Sequence, residues 1–284
     1  MATGKTLIGI DLGATNVRAG LVRDNKLQDI ASTRIKADGS VDEIMQQIFE
    51  VVDDVITDDV ESIGMGVPSV VEVEKGIVYD VQNIDSWDEV PVGDFFEKRY
   101  NLPIYVNNDA NCFALGEKYF GKAEGYRDIV GLIIGTGFAG GLILNNKLYA
   151  GPNCGAGEFG MIPYKDSIYE HYSCGQFFER QYEMSGEDVH KGAQNGDETS
   201  VQILREYGSH LGNAIKAVLY AVDPEIIVLG GSVRKAFAFF KDSMWEEIRT
   251  FAYSNSLNNL KIEVSERDHI ALLGAAALHM DAIQ

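Results

Sequence analysis

Short apolar runs broken by glycine open the chain. Residues 7–12 and 17–22 are apolar segments separated by a tight polar turn, which predicts two paired strands, and residues 30–35 predict a third. The period then changes. Val41, Ile44, Met45, Ile48, Val51, Val52 and Val55 fall on one face of a helix spanning 41–56, with Ser40 as its N-cap. A strand at 62–67 stops at Pro68. Another at 102–106 runs into Asn107, Asn108 and Asp109 and then a helical run to Tyr119. Further on, Leu204, Tyr207, Leu211, Ile215, Val218 and Val222 predict a helix over 200–222 that ends before Pro224. A buried strand follows at 226–229, and an alanine-rich helix over 270–282 comes last. Strands alternating with helices predict an α/β chain with helices covering sheets.

One unit of this pattern occurs twice. LIGIDLGATNVRAGLVRDNKL (7–27) and IVGLIIGTGFAGGLILNNKL (129–148) align with a one-residue gap. Each reads as a strand, a Gly/Thr turn, a second strand and an Asn/Asp-Lys hairpin. Two matched hairpins predict two related domains with a phosphate-sized cleft between them. The copies differ at a chemical position: Asp11 of the first stands opposite Ile133 of the second. No low-complexity linker separates the halves, so the boundary is expected near residues 120–125.

Composition narrows the partners. The 43 acidic residues outnumber the 24 basic ones, giving a net charge of −19, which argues against nucleic acid or an anionic membrane as partner. Three scattered cysteines, Cys112, Cys154 and Cys174, do not make a disulfide framework. No N-terminal segment has the order of a signal peptide, and no apolar run approaches the roughly 18–20 residues of a membrane span. The expectation is a soluble, cytoplasmic protein.

The Gly/Thr turns carry the first candidate chemistry. Glycine lets backbone approach a phosphate, and Thr15 and Asn16 offer side-chain donors beside Gly13. Asp11 at the strand end suits a magnesium-bound water. Gly135, Thr136 and Gly137 repeat the turn without the acid, and either turn alone is equally an ordinary hairpin. Asp109 follows a strand and opens a helix, so spacing alone leaves a general base and a helix N-cap both open.

At these residues the chain resembles a known group. The D-x-G-x-T turn, the G-T-G turn and the late Gly230-Gly231 turn look like the actin-like ATPase architecture, two duplicated RNase H-like domains with a cleft between them. More narrowly, IGIDLGATNVRAGLV (8–22), GMGVPSVVEVEKGIV (64–78), LPIYVNNDANCFALGE (102–117), the segment 131–163, DPEIIVLGGSV (223–233) and LLGAAAL (272–278) resemble the ROK family of sugar kinases and sugar-responsive repressors over nearly the whole chain. The resemblance implies an N-terminal domain of residues 1–120 plus 271–284 and a C-terminal domain of residues 121–270. It implies an ATP- and Mg2+-dependent hexose kinase, most simply a glucokinase, and commonly a homodimer. Asp109 in the N-D-A-N segment would be the catalytic base. Sugar would meet Ser69, Asn83, Asn108, Asp109, Glu158 and Glu179. Nucleotide would meet Asp11, Gly13, Thr15, Asn16, Gly135, Thr136, Gly137, Gly230 and Gly231, with Asp11 holding magnesium through water.

The chain departs from the family at one place. Gly157-Glu158-Phe159-Gly160 matches G-E-x-G, but the histidine that helps hold zinc and sugar is replaced by Met161. Of the zinc segment C-x-C-G-x-x-G-C-x-E only Cys174-Gly175 survives, and Glu179 matches the second sugar glutamate only with a gap, so Glu170 and Glu183 stay as alternatives. Cys154, His171 and Cys174 do not reproduce a four-ligand spacing, so no structural zinc is expected, and Tyr164, Tyr169, Tyr172, Phe177 and Phe178 are expected to anchor the loop by packing. N-acetylmannosamine, N-acetylglucosamine and fructose stand as alternatives to glucose, and a sugar-binding regulator with little kinase activity stands as the alternative of another class. The regulators of the family carry an N-terminal helix-turn-helix, for which the turn starting at Asp11 leaves no room.

Overall fold

The computed structural model describes residues 4–13, 15–81 and 84–284. The chain divides into two compact units. Met1–Gly125, Gly141–Ala156 and Glu266–Gln284 form the first, and Tyr126–Gly140 and Gly157–Ser265 the second.

Chain order begins with a three-stranded meander, β1 (Thr6–Leu12), β2 (Asn16–Arg23) and β3 (Lys26–Arg34), antiparallel throughout. Helix α1 (Val41–Asp53) follows. Ser40 accepts from the Glu43 N–H while the Glu43 carboxylate accepts from the Ser40 N–H, a complete capping box. The helix buries Ile44, Met45, Ile48, Val51 and Val52. β4 (Ser62–Val67) then pairs parallel to β1. A small antiparallel sheet of β5 (Val70–Glu72), β6 (Ile77–Tyr79) and β7 (Glu89–Pro91) leads into α2 (Val92–Tyr100). β8 (Ile104–Asn108) pairs parallel to β4 and feeds α3 (Asp109–Phe120). The first sheet therefore has the order β3-β2-β1-β4-β8.

The second copy supplies β9 (Ile129–Ile134), β10 (Phe138–Leu144) and β11 (Lys147–Leu148). After a 3-10 turn at Phe159–Met161 come β12 (Pro163–Tyr164) and β13 (Ser167–Ile168). Four helices follow: α4 (Tyr169–Ser173), α5 (Gln176–Tyr182), α6 (Gly186–Gln194) and α7 (Glu198–Val222). β14 (Ile226–Gly230) pairs parallel to both β9 and β15 (Lys261–Val264); α8 (Phe237–Ile248) and α9 (Ser254–Asn259) lie between β14 and β15 in sequence. The second sheet has the order β11-β10-β9-β14-β15, the same plan as the first. The repeat extends to the hairpins. Asp24 and Asn25 in one, and Asn145 and Asn146 in the other, all have positive φ, the paired left-handed geometry of a two-residue hairpin turn.

The last helix, α10 (Ile270–Ala282), returns to the first unit and buries Ile270 and every residue from Leu272 to Met280, packing on α3, β1 and β4. It sits so close that side chains are excluded. A Cβ at Gly64 of β4 would lie 1.8 Å from the Ala275 carbonyl oxygen, and one at Gly274 would lie 1.6 Å from the Cys112 carbonyl oxygen. Among the described residues no helix is long and apolar enough to cross a membrane.

Two features differ from the sequence-based expectation. β3 starts at Lys26, and α1 ends at Asp53, where the chain tightens into a Val55 N–H to Val52 carbonyl bond. The small sheet and α2 were not foreseen, because their segments are short and lack a clean period.

We expect Gly64→Ala and Gly274→Ala each to destabilise the protein by about 3 kcal/mol or more, since backbone rather than a flexible side chain must give way. Gly155→Ala, with nothing within 4 Å, is expected to stay within about 0.5 kcal/mol of the parent. Urea unfolding of the three variants checks this, and equal midpoints would refute it.

Candidate active site

In the first unit three adjacent parallel strands bring acids and amides to one edge. The register aligns Asp11 with Gly66 and Gly66 with Asn107, so β1, β4 and β8 reach this level side by side at their carboxyl ends. A Cβ on Gly66 would stand 3.7 Å from the Asp109 Cα and 3.1 Å from the Cys112 Sγ. Both Asp11 and Asp109 act on the Cys112 thiol, whose pKa is pushed up first by burial and then by these charges. Asp11 and Asp109 therefore converge on Gly66 and Cys112.

The cap of α3 is Asn108. Its Oδ1 accepts from the Ala110 N–H at 2.9 Å, and its Nδ2 donates to the Ser69 carbonyl at 3.2 Å. Asp109 takes the first helical position, where the helix dipole favours an anion. Its Oδ1 accepts from the Ala110 N–H at 2.8 Å. Ser69 and Asn108 are thus joined, and the Ser69 hydroxyl donates to the Tyr79 carbonyl. Asn83 lies outside the described residues.

Beneath Asp109 lies a buried polar hub that the sequence reading missed. Asn107 Oδ1 accepts from the Asn108 N–H at 2.9 Å, from Asn111 Nδ2 at 2.8 Å and from Cys154 Sγ at 3.4 Å. All three side chains are buried. Asn107 lies on β8 and Asn111 in the first turn of α3, so no single-element period connects them, and only the run of asparagines around Asp109 offered a signal.

Asp11 sits at the end of β1 with its side chain 26% exposed, 3.8 Å from Arg18. Burial raises its pKa, while the charges of Arg18 and His269 act in the opposite direction. Next to it, the first turn closes through the Gly13 N–H to the Asn16 carbonyl at 2.9 Å, and Thr15 and Asn16 are exposed. Among the described residues no three His, Cys, Asp or Glu side chains group to hold a metal ion. A single carboxylate beside a glycine turn fits a magnesium ion that would take its other ligands from water and phosphate oxygens.

The second unit carries the shorter turn. Gly135 N–H donates to the Gly137 carbonyl at 3.0 Å, which accounts for the one-residue gap in the repeat. The segment from α4 to α5 holds this turn. Gly175 N–H donates to the Gly135 carbonyl at 2.7 Å, Cys174 Sγ to the Thr136 carbonyl at 2.9 Å, and Gln176 Nε2 to the same carbonyl at 3.1 Å. Glu170 accepts from the Phe138 N–H at 2.9 Å. Burial pushes the Cys174 thiol up to about 12, which keeps it a donor.

Glu158 follows Gly157 and is exposed at the start of the 3-10 turn. Partial burial and then the charge of Glu170 raise its pKa. Glu170 is therefore the carboxylate that acts electrically on Glu158. Glu179 lines a cavity of about 550 Å³ with Gly135, Thr136, Gln176, Ser232 and Lys235; His190 and Lys191 of α6 complete one wall. Gly230 and Gly231 form the turn that delivers Ser232 to this cavity. Gly231 has φ +81°, and a Cβ there would lie 2.1 Å from the Ile134 carbonyl oxygen. Gly230 pairs with Ile133, the residue matched to Asp11 in the repeat.

The loop after Met161 folds around aromatic rings. Tyr164 stacks on Tyr169 with centroids 4.5 Å apart, Tyr172 meets Tyr164 edge-on at 5.4 Å, and Phe177 contacts Phe178 at 5.3 Å. His210 joins Tyr164, Tyr172 and Phe177, and its pKa is lowered by burial first and the nearby Lys165 second.

The duplicated mixed α/β plan is that of the actin-like sugar kinases. A ROK family glucokinase from Streptomyces griseus, solved in complex with glucose and AMPPNP, superimposes with a TM-score of 0.79 at 26% identity, covering 96% of this chain and 98% of that one. A glucokinase of Thermotoga maritima is 25% identical over 98% of both chains. A xylose repressor of Caldicellulosiruptor bescii is 26% identical over 96% of this chain and 77% of its own. The chain belongs to the ROK family, whose profile matches residues 7–282.

Because its folded pKa is raised, Glu158 binds protons more tightly in the folded than in the unfolded protein. Ionising it lowers stability as pH rises through the window from the ordinary value of 4.5 to the raised one. We expect Glu158→Gln to leave thermal stability unchanged near pH 4 and to increase it by a few tenths of a kcal/mol at pH 8, solvent screening keeping the effect small. Thermal melts at both pH values check this, and a gain at pH 4 alone would contradict it.

Proposed function

We propose that the protein is an ATP-dependent hexose kinase acting on a primary hydroxyl, with the 6-hydroxyl of glucose as the first candidate. The observation that carries the reading is the convergence of Asp11 and Asp109 at the carboxyl ends of adjacent parallel strands. Asp109 accepts the hydroxyl proton while the sugar oxygen forms its bond to the γ-phosphorus and the bond to the ADP oxygen breaks in line. Its place beyond an Asn108 cap fixes it on a rigid helix end. Mg2+ bound with ATP supplies neutralising charge at the phosphates. Thr15, Asn16 and the first turn receive phosphate beside Asp11, and the turn at Gly135, Thr136 and Gly137 receives it in the second unit.

On the sugar side we assign Glu158 and Glu170 as the carboxylate pair, because the charge of Glu170 lies close enough to act on Glu158. Glu179 is assigned to the nucleotide, since it shares a cavity with Thr136 and Ser232, and about 550 Å³ is ample for a nucleoside. Two carboxylates that accept hydroxyl protons in hydrogen bonds suit a polyol. N-acetylglucosamine, N-acetylmannosamine and fructose present the same hydroxyl chemistry and belong in the same test.

The second reading, a sugar-responsive regulator with little kinase activity, is favoured by the likeness to the xylose repressor. The paired acids Asp11 and Asp109 favour the enzyme, because binding a sugar requires neither a proton acceptor nor a metal ligand.

ADP release with Mg-ATP across glucose, fructose and the two N-acetylhexosamines separates the readings. Turnover with at least one sugar above the water background supports the kinase, and none supports the regulator. Asp109→Asn is expected to lower kcat by about 10²–10⁴-fold with sugar binding retained. Near-normal turnover in that variant would remove Asp109 from the role of base.

A further inference from the structure

The side-chain amide of Gln176 bridges two functional groups of the second unit. Its Nε2 carries two hydrogens. One is directed to the Thr136 carbonyl at 3.1 Å and the other to Glu170 Oε1 at 3.4 Å. The other oxygen of that carboxylate, Oε2, accepts from the Phe138 N–H at 2.9 Å. The Thr136 carbonyl belongs to the same peptide unit as the Gly137 N–H, in the middle of the turn assigned to phosphate. A continuous chain of hydrogen bonds thus runs from a carboxylate on the sugar side, through one amide, to a peptide on the phosphate side.

We propose that Gln176 is a positioning residue that couples sugar binding to nucleotide binding. A sugar hydroxyl donating to Glu170 takes over part of the demand of that carboxylate. The Gln176 amide then donates more fully to the Thr136 carbonyl. Stronger donation to a carbonyl polarises its peptide unit, so the Gly137 N–H becomes a better donor to a phosphate oxygen. The effect is reciprocal, because the linkage between two ligands has one value whichever binds first. The bridge comes from the segment between α4 and α5, which also fixes the turn through Gly175 and Cys174. Those two bonds hold the turn in place without touching the Glu170 carboxylate, which reaches the turn directly at the Phe138 N–H and reaches the Thr136 carbonyl through Gln176. The inference deepens the hexose-kinase reading and rests on it.

The test is the affinity for Mg-AMPPNP measured by calorimetry without sugar, with saturating D-glucose and with saturating N-acetyl-D-glucosamine. It is run on the parent protein, Gln176→Met and Gln176→Glu. The parent is expected to bind Mg-AMPPNP about fivefold or more tightly with one of the sugars. Both variants keep the length of the side chain and lose the amide donors, and in both the ratio is expected to fall below about twofold. The ratio cancels any uniform loss of affinity at this cavity-lining position, which a purely structural role would produce. Variants that keep the parent ratio would overturn the proposal. So would a parent that binds both ligands with no ratio. A parent that binds neither sugar would remove glucose and N-acetylglucosamine as substrates, and the coupling argued for them, while ADP release with the other sugars decides the kinase reading separately. If one variant does not fold, the other decides.

Discussion

The first unit depends on backbone meeting backbone where α10 lies on β1, β4 and α3. At Gly64 and Gly274 the approach is closer than any side chain permits. Such contacts leave no adjustable layer between helix and sheet. Elsewhere in a core a leucine can change rotamer to absorb a shift, but here a displacement passes directly from one backbone to the next. The same helix also meets β1 backbone to backbone at Gly9, where a Cβ would lie 2.1 Å from the Leu272 carbonyl oxygen. Asp11 on β1 and Asp109 on α3 therefore sit on elements that α10 packs together. For the proposed phosphoryl transfer, where positioning supplies most of the rate, this is the part of the structure on which the chemistry would depend.

The second unit solves the same problem with hydrogen bonds. Its sheet has the order of the first, but Ile133 and Gly230 occupy the positions of Asp11 and Gly66. Without an acid at the strand end, its turn is held by Glu170, Cys174, Gly175 and Gln176 arriving from outside the sheet. The rings of Tyr164, Tyr169 and Tyr172 pack the loop that brings them there. Duplication thus preserved the scaffold while the means of fixing each turn diverged.

How much was legible from residues alone follows the same physics. The strand at Ser62–Val67, the helix at Ile270–Ala282 and the capping residue Ser40 were readable because periodicity and caps are local. The paired turns were readable because they repeat. The surroundings of Glu170 were not. Its partners Phe138 and Gln176 lie 32 and 6 residues away, and no spacing rule connects a helix residue to a backbone N–H in a distant hairpin. The cavity holding Glu179 was hidden likewise, since α5, α6 and the turn after β14 meet only through tertiary packing. Cys174-Gly175 looked like the remnant of a metal segment, whereas the thiol and the following N–H serve as donors to a turn.

The position of α10 along the chain also bears on how the protein is made. The helix that seals the first unit is translated after the entire second unit. During synthesis the second unit has its full sequence first, while β1, β4 and α3 wait with their glycine face uncovered. The usual N-terminal-first order of domain completion is thereby reversed. Until α10 emerges, the surface around Gly64 lacks the helix that covers it in the folded protein.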